Sequence, residues 1–485
     1  MKKLLALVLS LVTAVCLFAA CGPKGDSAKE SSSIKSDIEF DQFGDPIFNN
    51  VNLNVWSVIG APDNEYLNLV NEMFNSYYRS NGIQATITSI ETSLFYTQLA
   101  NTITTDPANA PDVVIFHSER LTYLVDNNLL LSIDECLSYI NRTFKSENYF
   151  VNVLEECRVD NSLYGVPLDV HSGLWFVRED ILTKNGLAKP TTKAEFEAVC
   201  EALMQKKANG TLWTRAMDRN NSANTEWRQI GAESDFFPVE MSAADNIESG
   251  WIPQTAVVQN GEPLVNDKGE PAWNNSNGLK TTLEMIDSWE GKYIGENRDH
   301  NTLWSNLASG NAVFGMEGPW WAEGRLNEYD AVLGEGALTV MGLSGLYAND
   351  ANSASKNKVY GVGHCFSVVK TVKSAQTRAA AALYAEYMTE NAIKYMAGGH
   401  LPACKAIQNN PEYTSSRAYN RYLKYMGNPE DFVMLGNTPH YSEVYEKLKL
   451  AYIYTLSKNK NGTVSDFISE CYRKAMGDIM AKEDL

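Results

Sequence analysis

The stretch from residue 53 to residue 90 reads LNVWSVIGAPDNEYLNLVNEMFNSYYRSNGIQATITSI. Residues 53–59 are mostly apolar and typical of a strand. Apolar residues then recur at the spacing of one helical face, at Tyr66, Leu69, Val70, Met73, Phe74 and Tyr77. Asn81-Gly82 is a helix stop, and the β-branched residues after it indicate a second strand. A strand, a helix and a strand in this order predict an α/β sheet with parallel strands.

The alternation of strands and helices continues along the chain. A helix predicted over residues 93–105 stops at Asp106-Pro107, and an apolar strand over residues 113–116 follows it. Thr192 and Glu195 form a capping box that predicts the start of another helix. Further strands are predicted at residues 174–177 and 313–316, and further helices at residues 374–396, 442–457 and 465–481. The fold class is therefore α/β, and 485 residues suggest two or three domains.

Two segments interrupt this pattern. Residues 247–277 carry turns at Asn260-Gly261 and at Asp267-Lys268-Gly269, which predict a hairpin excursion rather than a domain. Residues 213–235 are dense in Trp, Arg, Asn and Asp. This second segment is either a loop that contacts a ligand or an ordinary solvated insertion, and we favour the insertion.

The first residues predict export. Residues 1–20 have the pattern of a signal peptide: two lysines, then an apolar run that ends in Ala19-Ala20. The run is shorter than the roughly 20 residues of a membrane-spanning helix. Cys21 follows the alanines in a sequence that resembles a bacterial lipobox, although Phe18 replaces the usual Leu. We therefore predict that Cys21 carries a lipid such as palmitate; secretory cleavage near Ala20 without lipid is the alternative. Residues 21–44 would be the lipidated Cys and a disordered tether.

The composition excludes several classes of partner. The net charge of −18 becomes −20 when Lys2 and Lys3 leave with the signal peptide. An acidic surface argues against nucleic acid and against a broad patch for anionic lipids. No CxxC pair is present, so neither a zinc or redox motif nor a cofactor is predicted. The cysteines beyond Cys21 are predicted to be buried as small apolar residues, with a disulfide left open: Cys136, Cys157, Cys200, Cys365, Cys404 and Cys471.

Several segments, taken in order, carry a family resemblance. They are residues 111–116 (PDVVIF), 163–167 (LYGVP), 174–180 (LWFVRED), 189–196 (KPTTKAEF), 308–320 (ASGNAVFGMEGPW) and 398–403 (GGHLPA). The set resembles the family 1 extracellular solute-binding proteins, the sugar-binding components of ABC importers. Each motif is weak alone, but their order along the chain is specific. Lys193 departs from the family pattern, in which a Trp is usual.

The resemblance implies two α/β lobes, each a mostly parallel sheet flanked by helices, joined by a hinge. Lobe one would hold residues 45–169 and 366–400, and lobe two residues 172–361 and 402–485. The ligand is expected in the cleft between the lobes, which would close around it. The importer would then recognise the closed state.

Sugar recognition needs flat aromatic faces and fixed polar groups, and both are expected beyond the carboxyl ends of strands. The resemblance places Phe116, Glu119 and Arg120 on sugar-contacting positions of the maltose-binding members. His171 falls where those members have an acid. Trp320 falls on a stacking tryptophan and is the strongest single candidate.

Further candidates follow from position alone. Asp169 lies near a hinge crossing, where a surface or hinge-capping role is the alternative. The remaining candidates are less supported: Trp56, Asp63, Asn64, Trp175 and Trp321, with Tyr360, His364 and Phe366 near the second hinge crossing weaker still. Four histidines near the predicted cleft leave a metal site open, although no ligand spacing supports one: His117, His171, His364 and His400.

The resemblance implies an exported monomer on the outer face of the cytoplasmic membrane, held there by its lipid alone. It would capture a carbohydrate, an oligosaccharide, and deliver it to ABC permease subunits on separate chains. The rival class is a secreted glycosidase-like enzyme, which would need two cleft carboxylates about 5–10 Å apart, such as Glu119 and Asp169. No GxSxG, HExxH or P-loop motif is present, so we expect a binding protein rather than an enzyme.

Overall fold

The computed structural model describes residues 38–220, 225–295, 300–371, 374–435, 437–457 and 460–483. The predicted signal peptide, Cys21 and the first part of the predicted tether lie outside these ranges. The end of that tether, predicted as disordered up to residue 44, is instead paired: Glu39–Phe40 lies antiparallel to Pro46–Ile47. The Asp41 carboxylate accepts backbone hydrogen bonds from Phe43 and Asp45 and so closes the turn.

Strands and helices alternate along the described chain. The strands are β1 (Glu39–Phe40), β2 (Pro46–Ile47), β3 (Val51–Ser57), β4 (Ile83–Ser89), β5 (Val113–His117), β6 (Leu130–Leu131), β7 (Arg158–Val159), β8 (Ser162–Leu163), β9 (Val166–Pro167), β10 (Asp169–Val170), β11 (Leu174–Val177), β12 (Leu212–Thr214), β13 (Arg228–Ile230), β14 (Val239–Glu240), β15 (Phe314–Glu317), β16 (Thr339–Met341), β17 (Val359–Tyr360), β18 (His364–Val369), β19 (Leu401–Pro402) and β20 (Phe432–Val433). The α-helices are α1 (Asp63–Tyr78), α2 (Thr92–Thr105), α3 (Leu121–Asp126), α4 (Ile133–Ser138), α5 (Val151–Glu155), α6 (Glu179–Lys184), α7 (Lys193–Ala208), α8 (Ile247–Gln259), α9 (Asn277–Trp289), α10 (Leu303–Ser309), α11 (Ala322–Leu333), α12 (Ala375–Glu390), α13 (Ile393–Met396), α14 (Lys405–Gln408), α15 (Pro411–Thr414), α16 (Arg417–Arg421), α17 (Tyr441–Thr455) and α18 (Val464–Glu483). Short 3-10 turns, Ser118–Arg120 and Pro319–Trp321, directly follow β5 and β15.

The first lobe is built on a sheet with the strand order β4-β3-β5-β18-β6. Strand β3 lies between β4 and β5 and is parallel to both, as the strand–helix–strand pattern predicts. Strand β18 is antiparallel to β5, to β6 and to the short strand β9. The interior strands β5 and β18 are buried almost throughout, so this sheet forms the core of the lobe.

The second lobe has its own sheet, with the order β14-β15-β11-β16. Strand β15 is parallel to β14, but β11 is antiparallel to both β15 and β16. The two sheets are therefore mixed, and the expectation of mostly parallel pairing is wrong. The reason is the connectivity of the chain. Strands β11 and β18 each begin just after the chain has crossed from the other lobe, and each is antiparallel to the strands beside it.

The chain passes between the lobes through three connecting segments, residues 168–173, 361–363 and 398–402. These segments lie against one another, since β10 pairs with β19 and His171 forms a β-bridge with Val362. Gly363 is needed where they meet, because a Cβ built on it would lie 2.2 Å from the backbone oxygen of Asp169. The junction of the three segments thus lies at the boundary of both lobes.

Helix α1 exists as predicted, but its buried face is rotated. Val70 and Phe74 are buried, whereas Leu69, Met73 and Tyr77 are exposed. Asn71 takes a buried position instead: its amide donates to the backbone oxygen of Ala85 and accepts from the Tyr384 hydroxyl. A polar residue that finds buried partners can displace an apolar one from the packing face.

Residues 247–277 are not a hairpin excursion, and that prediction is wrong. They begin with helix α8, which is buried along nearly its whole length and packs against α9 and α17. The helix is buried on all sides although Glu248, Gln254 and Gln259 are polar, so its sequence shows no amphipathic period. Pro253 inside it is also a residue that normally breaks a helix. The turns at Gly261 and Gly269 do form, both with positive φ.

The cysteines named above are buried as free thiols, which agrees with their prediction as small core residues. Among the described residues, no helix is both long enough and apolar enough to span a bilayer.

Candidate functional site

A cavity of about 350 Å³ lies where the lobes meet at the connecting segments. It opens beyond the carboxyl ends of β3, β5 and β15, where ligands of α/β sheets are expected. Its lining residues are Val58, Ile59, Gly60, Ala61, Asp63, His117, Glu119, Arg120, His171, Trp251, Trp320, Val362, His364, His400, Tyr441 and Tyr445. Aromatic rings, carboxylates, imidazoles and one guanidinium therefore face a single space.

The structure brings half of the predicted ligand residues to this cavity. The lining includes Asp63, Glu119, Arg120, His171, Trp320 and His364. Asp169 lies directly behind the lining, where it is hydrogen-bonded to His364 and close to His171.

The structure does not bring the other predicted residues to this cavity. Phe116 is fully buried within β5, paired with Cys365. Trp175 lies in the core of the second lobe, where its indole N–H donates to the Tyr347 hydroxyl at 3.2 Å. Trp56 is held inside β3, Asn64 lies outside the lining, and Trp321 is 41% exposed. Phe116 and Trp175 lie within strands of the lobe cores, whereas Glu119, Arg120 and Trp320 come after the ends of strands β5 and β15 and reach the cavity.

Residues 213–235 also lie away from the cavity. Strands β12 and β13 pair as a ribbon on the second lobe. There the Lys184 ammonium lies 4.8 Å from the Trp213 ring and 5.4 Å from the Trp227 ring. The described part of this segment fits the insertion interpretation.

Three aromatic lining residues were not predicted as ligand residues: Trp251, Tyr441 and Tyr445. Trp251 was missed because helix α8 was missed. The two tyrosines stack on one face of α17, with ring centroids 5.3 Å apart. The predicted helix begins at residue 442 and so includes Tyr445 but not Tyr441. The i, i+4 spacing of the two tyrosines was the only signal available, and core tyrosines share it.

The Trp320 ring is held next to the cavity by glycines. A Cβ built on Gly318 would lie 2.1 Å from Cζ2 of the ring, and one on Gly399 would lie 2.8 Å from the Trp320 backbone nitrogen. The His171 ring meets Trp320 edge-on at 6.0 Å between centroids. Trp320 is thus fixed from behind, and its ring is only partly buried.

A polar cluster of Asp63, Asp169, His171, His364 and His400 closes the base of the cavity. The Asp169 carboxylate accepts a hydrogen bond from the Tyr395 hydroxyl at 2.8 Å and one from the backbone N–H of His364 at 3.1 Å. Its oxygens lie 2.9 Å from His364 Nδ1 and 3.3 Å from His171 Nδ1. His400 lies between the two carboxylates, with Nε2 3.1 Å from Asp63 Oδ2 and Nδ1 3.5 Å from Asp169 Oδ2.

Burial and charge act in opposite directions on this cluster. Burial alone raises the pKa of Asp169, but the charges of His364 and His400 and the hydrogen bonds from His171 and His364 outweigh it and hold the pKa well below its usual range. Burial lowers the pKa of His171 and of His364. For His400 the two carboxylates outweigh burial and raise the pKa. The carboxylates and the imidazoles of this cluster therefore influence one another's pKa directly.

Several buried polar atoms of the lining have no hydrogen-bond partner within the described protein. They are Asp63 Oδ1, Glu119 Oε2 and Trp251 Nε1. Two of these residues, Asp63 and Trp251, are more than nine-tenths buried. Because an unpaired buried polar atom is costly, such atoms at a cavity wall are fitted to hydroxyl groups of a ligand or to water.

Comparison with known proteins places the chain among binding proteins. The family described as bacterial extracellular solute-binding protein matches residues 72–420. No curated protein matches the chain in sequence.

Solved structures resemble the fold over most of its length. The GacH receptor of Streptomyces glaucescens, solved with and without acarbose, is 13% identical, with 88% of this chain and 99% of that chain covered and a TM-score of 0.66. The sugar-binding protein MalE of Xanthomonas citri is 16% identical, with 90% and 100% covered and a TM-score of 0.66. Lmo0181 of Listeria monocytogenes, solved with cycloalternan, is 15% identical, with 89% and 99% covered and a TM-score of 0.63. The predicted two-lobed α/β fold is confirmed.

Proposed function

The chain belongs to the bacterial extracellular solute-binding proteins, and we propose from this that it captures an oligosaccharide in the cavity between its lobes for delivery to an ABC transporter. Membership of this family places the protein outside the cytoplasm. The sugar, the site residues and the permease partner are parts of the proposal.

One observation carries the choice of a carbohydrate: the cavity combines aromatic rings with unpaired buried polar atoms. Trp320, Trp251 and the stacked pair Tyr441 and Tyr445 present ring faces and edges to one space. Asp63 and Glu119 each present a carboxylate oxygen without a protein partner. Pyranose rings offer apolar C–H faces and a rim of hydroxyls, which match these two kinds of group. The complexes of GacH with acarbose and of Lmo0181 with cycloalternan support the same ligand class.

Ligands held between two lobes favour the closed arrangement. The Arg120 guanidinium on the first lobe lies 5.8 Å from the Tyr441 ring centroid and 3.4 Å from Ser442 Oγ on the second. A sugar that contacts both Arg120 and Tyr441 binds the closed form more tightly and so raises its population. A permease that recognises the closed form would then receive loaded protein.

The glycosidase alternative is disfavoured by the position of Asp169. Glycosidic cleavage needs two carboxyl groups that both reach the scissile bond. The Asp169 side chain is fully buried behind the cavity lining, and its oxygens are already in contact with His171, His364 and Tyr395. We propose that the protein binds its sugar without cleaving it.

We further propose that a lipid on Cys21 tethers the protein to the outer face of the cytoplasmic membrane. The support is the order of lysines, apolar run, Ala19-Ala20 and Cys21. A tether raises the local concentration of the loaded protein at its permease. Mass spectrometry of the mature N-terminal peptide would show a diacylated Cys21; an unmodified N-terminus would release the protein from the membrane.

The test is a panel of oligosaccharides added to the mature chain, including linear and cyclic α-glucans and plant β-glycans. A true ligand at about 100-fold excess over its Kd should stabilise the fold by about 2.7 kcal/mol, seen as a higher melting temperature and shifted tryptophan emission. Anion-exchange chromatography of the mixture should recover the sugar unchanged. Shorter products would establish an enzyme instead, and no response to any sugar would refute the ligand class.

A further inference from the structure

We propose that Asp169, His171, His364 and His400 form a binding site for a divalent transition-metal ion of the zinc class. The site lies where the three connecting segments meet. The inference goes beyond sugar capture, since the ion would bind to the protein alone.

The donor set is one that zinc prefers. Three imidazoles and one carboxylate are typical ligands of Zn²⁺, and imidazole also suits Co²⁺ and Ni²⁺, whereas Ca²⁺ and Mg²⁺ prefer sites made of oxygen. One ligand atom from each of these four residues lies within 4.8 Å of all the others. All four residues are more than nine-tenths buried. A buried cluster of this kind differs from an acidic surface patch.

The spacing of the donor atoms fits a bound ion. Metal–ligand bonds of about 2.0–2.1 Å in a tetrahedron place neighbouring donors roughly 3.3–3.4 Å apart. Asp169 Oδ1 lies 3.3 Å from both His171 Nδ1 and His364 Nδ1. His400 Nδ1 lies 3.4 Å from His171 Nδ1 and 3.5 Å from Asp169 Oδ2. These pairs already have the spacing of neighbouring ligands, and the donors that are up to 4.8 Å apart would have to move closer together around the ion.

The Nδ1 atoms of His171, His364 and His400 all lie beside the Asp169 carboxylate. The two nitrogens of His171 and His400 are 3.4 Å apart, a distance at which one neutral imidazole can donate to the other. That single contact therefore fits a hydrogen bond as well as a shared ion. The metal is favoured by the number and burial of the donors, since three imidazole nitrogens and a carboxylate oxygen lie within 4.8 Å of one another in a buried cluster.

Side chains around the proposed ligands already hold them in a fixed orientation. Asp63 Oδ2 lies 3.1 Å from His400 Nε2, the ring nitrogen that faces away from the cluster, so the pair makes a carboxylate–histidine–metal arrangement. The His400 ring stacks on Tyr395 at 4.7 Å between centroids, and the Tyr395 hydroxyl donates to Asp169. Such supports fix ring orientation and strengthen metal affinity.

The proposed ligands lie in or directly after the three connecting segments. Asp169 and His171 come from the first segment, His364 follows the second, and His400 belongs to the third. An ion would join these segments to one another at the junction of the lobes. The histidines also line the sugar cavity, so the ion would lie at its edge. Because the ion binds the folded chain and joins distant segments, its binding should stabilise the fold.

The test adds Zn²⁺ and then Co²⁺ to metal-stripped protein in the absence of sugar. Titration calorimetry should show one Zn²⁺ per chain, the melting temperature should rise, and Co²⁺ should give the intense visible absorption of a low-symmetry site. His364→Gln and His400→Gln should each weaken Zn²⁺ binding by at least about 100-fold, and Asp63→Asn by about 10–100-fold, as expected for an outer partner.

His440→Gln is the matched control, because His440 lies at the start of α17 outside the cluster. Its affinity for Zn²⁺ should equal that of the unaltered protein. Urea unfolding without metal establishes that each variant is folded. Absence of stoichiometric Zn²⁺ binding, or binding that persists in folded His364→Gln and His400→Gln variants, would overturn the site. Neither result would affect the proposal of sugar binding, because the sugar panel is measured without added metal.

Discussion

Trp320 combines a rigid position with a partly open ring. Its ring lies over Gly318 and beside the edge of His171, so the face toward the cavity is held without being covered. Trp321, the next residue, points elsewhere: it is 41% exposed, and the Arg325 guanidinium lies 5.4 Å from its ring centroid. Two adjacent tryptophans therefore differ in their expected roles, which makes them a natural matched pair.

We expect Trp320→Ala to weaken oligosaccharide binding by about 2 kcal/mol or more, which is roughly 30-fold in Kd, because a central aromatic platform is lost. Trp321→Ala should change the Kd less than threefold. Titration calorimetry with the ligand found by the sugar panel measures both. Equal losses in the two variants would remove Trp320 from the site.

At the scale of the element, α12 places a carboxyl group in the core of the first lobe. The helix is rich in buried alanines, and Glu386 lies on its buried side. The Arg142 guanidinium approaches Glu386 only to 3.5 Å and is itself 45% exposed. Burial raises the pKa of Glu386 to about 7, and Arg142 offsets only part of this effect. A carboxylate in this position opposes folding once it ionises.

The pH dependence follows from the sign of that shift. Because the folded pKa lies above that of the unfolded chain, the contribution of Glu386 to stability is complete below about pH 4.5 and is lost as the pH rises through about 7. We expect Glu386→Gln to raise the free energy of unfolding by about 2–3 kcal/mol at pH 8 and by little near pH 4.5. Urea unfolding at both pH values measures the difference. A gain that is the same at the two pH values would contradict ionisation as its cause.

At the scale of the whole molecule, the lobes depend on close contact between the connecting segments. Gly363 lets the second segment lie against the first, because a Cβ on it would meet the Asp169 backbone oxygen at 2.2 Å. A Cβ on the nearby Gly361 would instead meet the Phe432 ring, also at 2.2 Å. A backbone atom cannot move out of the way as easily as the end of a side chain can. A side chain at position 363 is therefore harder to accommodate than one at position 361.

Gly363→Ala should lower the free energy of unfolding by about 1–3 kcal/mol, since the segments must move apart. Gly324→Ala is the control, because Gly324 lies in α11 with open space around its Cβ position. There alanine should stabilise the helix by up to about 1 kcal/mol. If the contact between the two segments matters, chemical unfolding should show a lower free energy of unfolding for Gly363→Ala and a higher one for Gly324→Ala. A neutral Gly363→Ala would show that the segments can separate freely.

Much of the local structure could be predicted from the sequence because it depends on neighbours along the chain. Gly82 ends the first helical region in the left-handed conformation, as Asn81-Gly82 predicts. Thr192 caps α7 by accepting from the backbone N–H of Glu195. The ordered motifs from residue 111 to residue 403 predicted the family and the two lobes. Apolar periodicity, turns and helix caps each involve only a few neighbouring residues, so they can be recognised in the sequence without a tertiary structure.

Only the tertiary structure decided what surrounds the ligand cavity. His400 reaches Asp63 across 337 positions of sequence, and Arg120 reaches Ser442 across 322. Strand pairing, the buried face of α1 and the fully buried helix α8 likewise depend on which surfaces meet. The sequence alone therefore determined the α/β elements and the family, because these are local or ordered along the chain. The tertiary structure decided which histidines converge and which tryptophan faces the cavity, because contacts between distant residues arise only when both lobes have packed.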